Sequence, residues 1–469
     1  MILLGFVLTG ISTLTRGHVW LDDFAGYVMQ AKSIINGDMA DFISHNSFTI
    51  NNSAYPPGPI AYPWGFPLLL VPVYVFFGNN PIAFKLVNIA AYTLFLIFTY
   101  LLSKTRLKGT DSLILTAVFA FLPVMLKAND YIISDLPFLA ASMLAVYIID
   151  QLKTNVIYLL FTGLSIFLAF FIRVNGILLF VPLIILIIFE KKLTWKNKIS
   201  FGIIPFLSFL IIFLIQIVIF PGGQSSYFTH FSLLSINGIF QNIVYYLLLP
   251  FHLFDELPLP YFLWLFVCVF FGIGLYLRFR KNIALITYSF STILLFIFWP
   301  ERQGLRFIYP VLPIILILSF EGLQLVSENI KNKWNKYISW GFGSVWFAVI
   351  TIALFISSSN AYNNLLNGRV INGPYDSYSR EMFEFISEKT PADSVYIFMR
   401  PRAFRLFTGR DSFMSDQCSG LVKGDFVILH QKMTDMGQID PQKVAACDKT
   451  IKLDEVFSSK RFVVYHILH

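Results

Sequence analysis

Charge is what this chain has least of. Only 13% of its 469 residues are Asp, Glu, Lys or Arg, where soluble proteins carry about a quarter. A fold surrounded by water is excluded. Cysteine is nearly absent too: three residues in no metal-ligand spacing, which argues against a zinc or redox centre. No glycine-rich loop of nucleotide type occurs, and no Ser-His-Asp order of a hydrolase. His18, His45, His230 and His252 lie in loops without ligand spacing and read as loop residues rather than metal ligands. No internal repeat is present.

What fills the chain instead is apolar sequence: 56% hydrophobic, 17% aromatic, mean hydropathy +0.68. Uncharged runs recur near 81–103, 111–127, 135–152, 155–172, 174–189, 199–220, 260–277, 282–299, 306–326 and 337–357. A first helix in 1–15 is read as retained, since no basic residues precede it and no cleavage site follows. Together these make about eleven segments able to cross a bilayer with some tilt or thinning. The chain is a polytopic α-helical membrane protein. If the segments alternate, the basic loops at 104–108, 191–198, 278–281 and 331–336 share one side with Lys153, and that side is cytoplasmic. The net charge of +8 belongs to these loops, so nucleic acid is not implied. The N-terminus is then cytoplasmic, and the long loop 16–80 lies outside with the C-terminal stretch.

That loop opens with Asp22 and Asp23, then an amphipathic helix running to about Ile35, where Asn36-Gly37 stops it. A proline-rich turn follows, ending Tyr62-Pro63-Trp64-Gly65-Phe66-Pro67. The short apolar piece 68–77 is expected to lie at the membrane interface. Asp23 and Tyr27, four apart, share a helical face, while Asp22 points elsewhere. On residue type alone, Asp22 and Asp23 serve as helix caps.

Beyond residue 358 the composition turns polar and no span occurs. Asp376 or Ser377 caps a helix to about Glu388; 394–399, 426–429 and 461–467 read as strands, with short helices near 401–407 and 441–447. This makes 358–469 a small extracytoplasmic α/β domain after a membrane domain 1–357. Cys418 and Cys447 are the candidates for a disulfide, with pairing left open; Cys268 packs in a span.

Ionisable groups avoid mid-membrane and gather at the outer ends of spans: Asp130 and Asp135, Arg173, Glu301, Arg302 and Arg306. A proton-coupled transporter would place carboxylates near the midplane. Taken singly, each group also has a structural reading: a cap at Ser134 or Asp135, a snorkelling Arg173, membrane anchors at 301–306.

Taken in order, Asp23-Phe24-Ala25-Gly26-Tyr27, Tyr62-Pro63-Trp64-Gly65-Phe66-Pro67, Ser134-Asp135-Leu136-Pro137-Phe138, Arg173-Val174-Asn175-Gly176 and Arg306-Phe307-Ile308-Tyr309-Pro310 resemble the GT-C class of membrane glycosyltransferases. The branch is that of the protein O-mannosyltransferases and aminoarabinose transferases, which use polyprenyl-phosphate sugars. The resemblance implies a sugar moved from a polyprenyl-phosphate carrier to a lipid, glycan or protein acceptor at the outer face, inverting, with no cofactor required and a divalent metal left open. It implies Asp23 as general base, with Asp22 or Asp135 as a second acid. Arg173, Arg306 and Arg302 would meet the phosphate, and Tyr27, Asn175, Glu301 and Tyr309 the substrates. The class carries Asp-Glu where this chain has Asp23-Phe24, and the lysine that aminoarabinose transferases carry beside the proline-rich turn is missing. The compact chain points to a bacterial plasma membrane. The rival reading is a lipid-linked glycan flippase or polymerase, or another polytopic transporter; these would thread polar residues through spans that are apolar here.

Overall fold

In lipid a backbone can satisfy its own polar groups only as helix or closed barrel, and the apolar segments of this chain are helices. The computed structural model describes all residues except 56, 152, 154, 192, 223–234, 330–332, 370, 433–436, 441, 442, 444–446, 448–450 and 469. His230, the side chains of the basic run 331–336 and most of the helix expected at 441–447 fall outside this description. Among the described residues, five helices are long and apolar enough to cross a membrane: Pro81–Lys104, Trp195–Ile219, Pro260–Arg278, Leu312–Asn329 and Trp340–Leu366. The remaining expected spans are shorter helices, among them Ile2–Thr13, Gly109–Phe121, Asp135–Gln151, Val156–Ile172 and Ile283–Ile297. The count of about eleven full spans is therefore not reached by length.

Local chemistry explains the shortening. Pro123 lacks an N–H to continue the helix Gly109–Phe121, and a separate short helix Pro123–Ala128 follows. The segment at 174–189 opens as a tight 3-10 turn, Val174–Leu179, before the helix Phe180–Phe189. Two helices lie in stretches expected to be loop: Met39–Asn52 in the first long loop, and Ile236–Leu248. The helix of the last apolar segment continues to Leu366, past the point where the sequence turns polar.

Two of the basic loops, 104–108 and 278–281, meet at one end of the bundle. At the far end of Asp135–Gln151 from Asp135, Asp150 pairs with Arg106, whose Nε donates to Asn282 Oδ1 at 2.6 Å. Lys281 beside it pairs with Glu321 at 2.8 Å. The helices Pro260–Arg278 and Leu312–Asn329 approach backbone to backbone through glycine. A Cβ on Gly274 would stand 2.1 Å from the Leu318 carbonyl oxygen, and one on Gly322 2.0 Å from that of Phe270.

The C-terminal residues form a five-stranded sheet of β1 (Tyr396–Ile397), β2 (Ser412–Phe413), β3 (Phe426–His430), β4 (Lys452–Ser458) and β5 (Phe462–Leu468), in the order β2-β1-β3-β5-β4. β1 runs parallel to β2 and β3; β5 runs antiparallel to β3 and β4. The sequence had signalled β1, β3 and β5; β2 is only two residues long, and β4 is a polar edge strand with most of its residues half-buried or exposed. Asp376 caps the helix Ser377–Lys389, accepting from Ser379 N at 2.8 Å. Cys418 and Cys447 are joined, their Cα atoms 5.4 Å apart.

Strand side chains alternate between faces. One face of the sheet, with Ile397, Val427, Leu429 and Ile467, packs within the domain and against Phe48 of the helix Met39–Asn52. The other, with Tyr396, Phe398, Phe426, Ile428 and Phe462, shares a core with Trp20, Phe24, Tyr27 and Phe66 of the first long loop. The Trp20 ring stands edge-on to Phe398 and Phe462 at 5.4 and 6.0 Å. The C-terminal domain and the first loop are therefore one packed unit above the bundle.

Gly322→Ala is expected to destabilise the bundle by about 2 kcal/mol, because the added methyl must push two backbones apart. Thermal unfolding in detergent checks this. Gly341→Ala, where a Cβ would meet nothing within 4 Å, serves as the neutral comparison.

Candidate active site

Asp23 and Tyr27 sit one turn apart on the helix Asp23–Asn36 and both line a cavity of about 1380 Å³. The Asp23 carboxylate accepts from the Tyr62 hydroxyl at 2.7 Å and pairs with Arg306 Nη2 at 3.3 Å. Arg306 stands in the tight turn Gly304–Ile308 and also reaches Asp135 at 3.3 Å. Asp135, at the start of Asp135–Gln151, accepts from Arg173 Nη1 at 2.5 Å. Asp23, Arg306, Asp135 and Arg173 thus alternate in sign along one chain of contacts. Ser134, next to Asp135, hydrogen-bonds the Tyr27 hydroxyl at 2.9 Å. Asn175, Glu301 and Gln303 add polar atoms to the wall, and Ile43, Ile177, Leu178, Phe296 and Phe307 make much of the rest apolar.

The electrostatics follow from what surrounds each carboxyl. Burial pushes Asp23 up, but Arg306, the Tyr62 hydroxyl and Arg402 outweigh it and hold the group below its ordinary value. It is ionised at neutral pH. Burial raises Tyr62 far above the usual phenol range, and the Asp23 charge adds to this, so its hydroxyl keeps its proton. Burial acts to lower Arg306, yet Asp135 and Asp23 overcome it and raise its value. Among the described residues no three His, Cys, Asp or Glu side chains gather as a metal site.

Asp22 takes a different path. It does not line the cavity; its Oδ1 accepts from the backbone N–H of Arg402 at 3.0 Å and of Ala403 at 3.3 Å. Asp22 therefore caps the helix Pro401–Thr408 of the C-terminal domain, not its own helix, for which it makes no side-chain cap. Burial raises its carboxyl to about 6, against the pull of Arg400 and Arg402.

No protein-family model matches this chain, and no curated protein matches it in sequence. Solved structures do match in fold. ArnT from Cupriavidus metallidurans bound to undecaprenyl phosphate superposes with a TM-score of 0.62 at 12% identity, over 99% of this chain and 97% of that one. The Archaeoglobus fulgidus oligosaccharyltransferase AglB, in complex with an inhibitory peptide and a dolichol-phosphate, gives 0.58 at 11% identity, over 92% and 69%. The same oligosaccharyltransferase in complex with Zn and sulfate gives 0.62 at 12% identity, over 99% and 73%. This is the GT-C glycosyltransferase fold.

Within that GT-C fold, the sequence-singled residues divide. Asp23, Tyr27, Arg173, Asn175, Glu301 and Arg306 line the cavity together. Asp135 stands just behind, joined to both arginines and 2% exposed. Asp22 is turned away, as above. Arg302 is also turned away: its Nε donates to Asn242 at 2.8 Å and its guanidinium lies over the Tyr245 ring at 5.1 Å, both on the unforeseen helix Ile236–Leu248. Tyr309 is buried and does not line the cavity. Phe24, at the position where the GT-C class carries Glu, is fully buried against the His18 ring at 4.2 Å, so its side chain leaves the cavity. His18 is itself structural: Nδ1 bonds the Val19 carbonyl at 2.9 Å, Nε2 accepts from Ile132 N, and burial lowers it to about 3. The acid tied to Asp23 through a shared arginine is Asp135.

Two contributors had no assigned role in the sequence. Tyr62 appeared only as part of the proline-rich turn. Arg402 comes from 380 residues beyond Asp22; its single local signal is a cation in the first turn of a helix, against the dipole.

Asp22→Asn is expected to remove a pH dependence. With its carboxyl raised in the folded protein, Asp22 contributes stability that is present at acid pH and lost as pH rises from the ordinary carboxylate range through about 6. Melting temperature plotted against pH should lose that downward slope in the Asn variant.

Proposed function

We propose that this chain transfers a sugar from a polyprenyl-phosphate carrier to an acceptor hydroxyl or amine, in one inverting displacement. The observation that carries the reading is the convergence of Asp23, Arg306 and Arg173 on one cavity with a largely apolar wall, with Asp135 joined to both arginines behind it. An apolar wall suits a prenyl tail, and arginine is the side chain best shaped for phosphate. The complexes of similar fold agree: one holds undecaprenyl phosphate, another dolichol-phosphate with a peptide.

In this reading the acceptor atom attacks the anomeric carbon. The carbon–oxygen bond to the carrier phosphate breaks, and its electron pair leaves on that phosphate. Arg306 and Arg173 are 25% and 19% exposed, with N–H groups left to meet the charge that develops there. The acceptor proton passes to Asp23. A carboxylate held this acidic is a weak base, so it takes the proton late, after the new bond has largely formed. Asp135 keeps the two arginines in place. The domain 1–357 supplies acid and arginines, and 358–469 packs on the first loop that carries Asp23. The site faces outward from a bacterial plasma membrane, with the N-terminus inside.

Asp23→Asn should lower transfer from a polyprenyl-phosphate sugar by about a hundred- to ten-thousand-fold while the protein still inserts and folds. Arg306→Ala and Arg173→Ala should each lower kcat/KM for the donor about tenfold or more. Because Asp23 is held below its ordinary value, the wild-type rate should persist into the usual carboxylate range and fall only below it. Full activity of the Asn variant in a purified assay would remove Asp23 from the chemistry.

A further inference from the structure

The C-terminal domain sends one cation into the first loop. Arg402 is 1% exposed, and its contacts are all on elements distant in sequence. Nε donates to Asn46 Oδ1 at 3.0 Å, Nη1 to the Pro57 carbonyl at 3.2 Å and Nη2 to the Pro59 carbonyl. Nη1 also donates to the Tyr62 hydroxyl oxygen at 2.9 Å, and that hydroxyl donates to Asp23 at 2.7 Å. The direction of this chain is forced. A guanidinium has no acceptor, so the Tyr62 oxygen must accept from Arg402. Its only proton is then left for Asp23. The guanidinium also lies over the Tyr62 ring at 5.2 Å, which fixes the ring plane. Asp22 completes the arrangement by accepting the backbone N–H of Arg402, which sets where the side chain starts.

We propose that Arg402 is a positioning residue for the Asp23 carboxylate and acts through the Tyr62 hydroxyl, so that docking of the C-terminal domain assembles the base. The proposal rests on the reading of Asp23 as general base. Arg402 does not line the cavity. The charged and titratable groups around Asp23 are Arg306, Tyr62, Arg402, Tyr27, Asp22 and His18. Of these, Arg306 is the direct ion pair, and Tyr62 is the direct hydroxyl donor. Without Tyr62 the carboxylate keeps Arg306 as its direct partner, and without Arg402 the Tyr62 hydroxyl is no longer held toward it.

The test uses the full chain in nanodiscs, as wild type, Arg402→Lys, Tyr62→Phe and the double variant. Lysine keeps the charge but not the fork that spans four acceptors. Two readouts are taken: sugar transfer from a polyprenyl-phosphate sugar, and infrared titration of the Asp23 carboxyl, its band assigned with Asp23→Asn. Each single variant should lose about tenfold in kcat, and the double no more than either single. In all three, Asp23 should take up its proton at higher pH than in wild type, with about tenfold less acidity. Thr49→Val removes a buried docking bond, Thr49 Oγ1 to the Ser412 carbonyl at 2.8 Å, and should lower the melting temperature while leaving kcat and the titration unchanged.

Losses that multiply in the double variant, an unshifted Asp23 titration, or a Thr49→Val variant that copies Arg402→Lys would overturn the proposal. If Arg402→Lys does not fold, the titration of Tyr62→Phe decides, since an unchanged Asp23 there removes the Tyr62 link. Absence of any transfer by wild type would instead sink the functional reading, and the infrared arm would still report on the link.

Discussion

A carboxylate stays ionised at the rim of an apolar cavity only if cations and donors replace the water it has lost. Asp23 meets this condition with Arg306 on one oxygen and the Tyr62 hydroxyl on the other. Most of what is unusual in the structure serves that condition. The first long loop folds into helices, the turn at 304–308 brings Arg306 back, and the C-terminal domain docks on the same loop. Remove the charge balance and the cavity becomes a place where a carboxyl would rather be neutral.

The arginines are constrained in the same way. Arg306 is shared between Asp23 and Asp135, and Arg173 closes on Asp135. A buried pair deprived of one partner costs several kcal/mol, so each member holds the next in place. Such a cluster is stiff without ligand and nearly neutral as a whole. Under the proposed reading, the carrier phosphate meets the exposed edges of its guanidinium groups. That is the arrangement expected where charge appears only during a reaction.

Docking of the C-terminal domain is the second constraint. One face of its sheet shares a core with its own helices Ser377–Lys389 and Pro401–Thr408 and with Trp20, Phe24 and Tyr27, and the helix Pro401–Thr408 is capped by Asp22. The polar and apolar contacts agree in direction, which is what fixes a domain rather than merely attaching it. At the far end of the bundle, Arg106, Asp150, Asn282 and Glu321 form a second polar knot between helix ends. Polar groups concentrate at the two ends, and the middle is left to close packing such as that at Gly274 and Gly322.

Hydropathy was enough to establish a membrane protein, because the cost of bare backbone in lipid leaves long apolar runs few choices. The periodicity of 23–35, the stop at Gly37, the cap at Asp376 and the alternating strands β3 and β5 were legible for the same local reason: each depends on neighbours in sequence. The shared face of Asp23 and Tyr27 followed from helical spacing alone. Among the described residues fewer helices reach full spanning length than the apolar runs suggested, because Pro123 and the turn at Val174–Leu179 shorten helices inside those runs. The partners of the charges were not legible. Asp22 and Asp23 are adjacent and chemically alike, yet a rotation of about 100° along the helix sends one to a cavity and the other beneath a helix from the far end of the chain. Likewise Arg302 and Arg306 differ only in which helix each finds. What the sequence by itself determined was which residues carry charge and which elements they ride on; which charge meets which was decided by long-range packing, since an ion pair has no sequence spacing of its own.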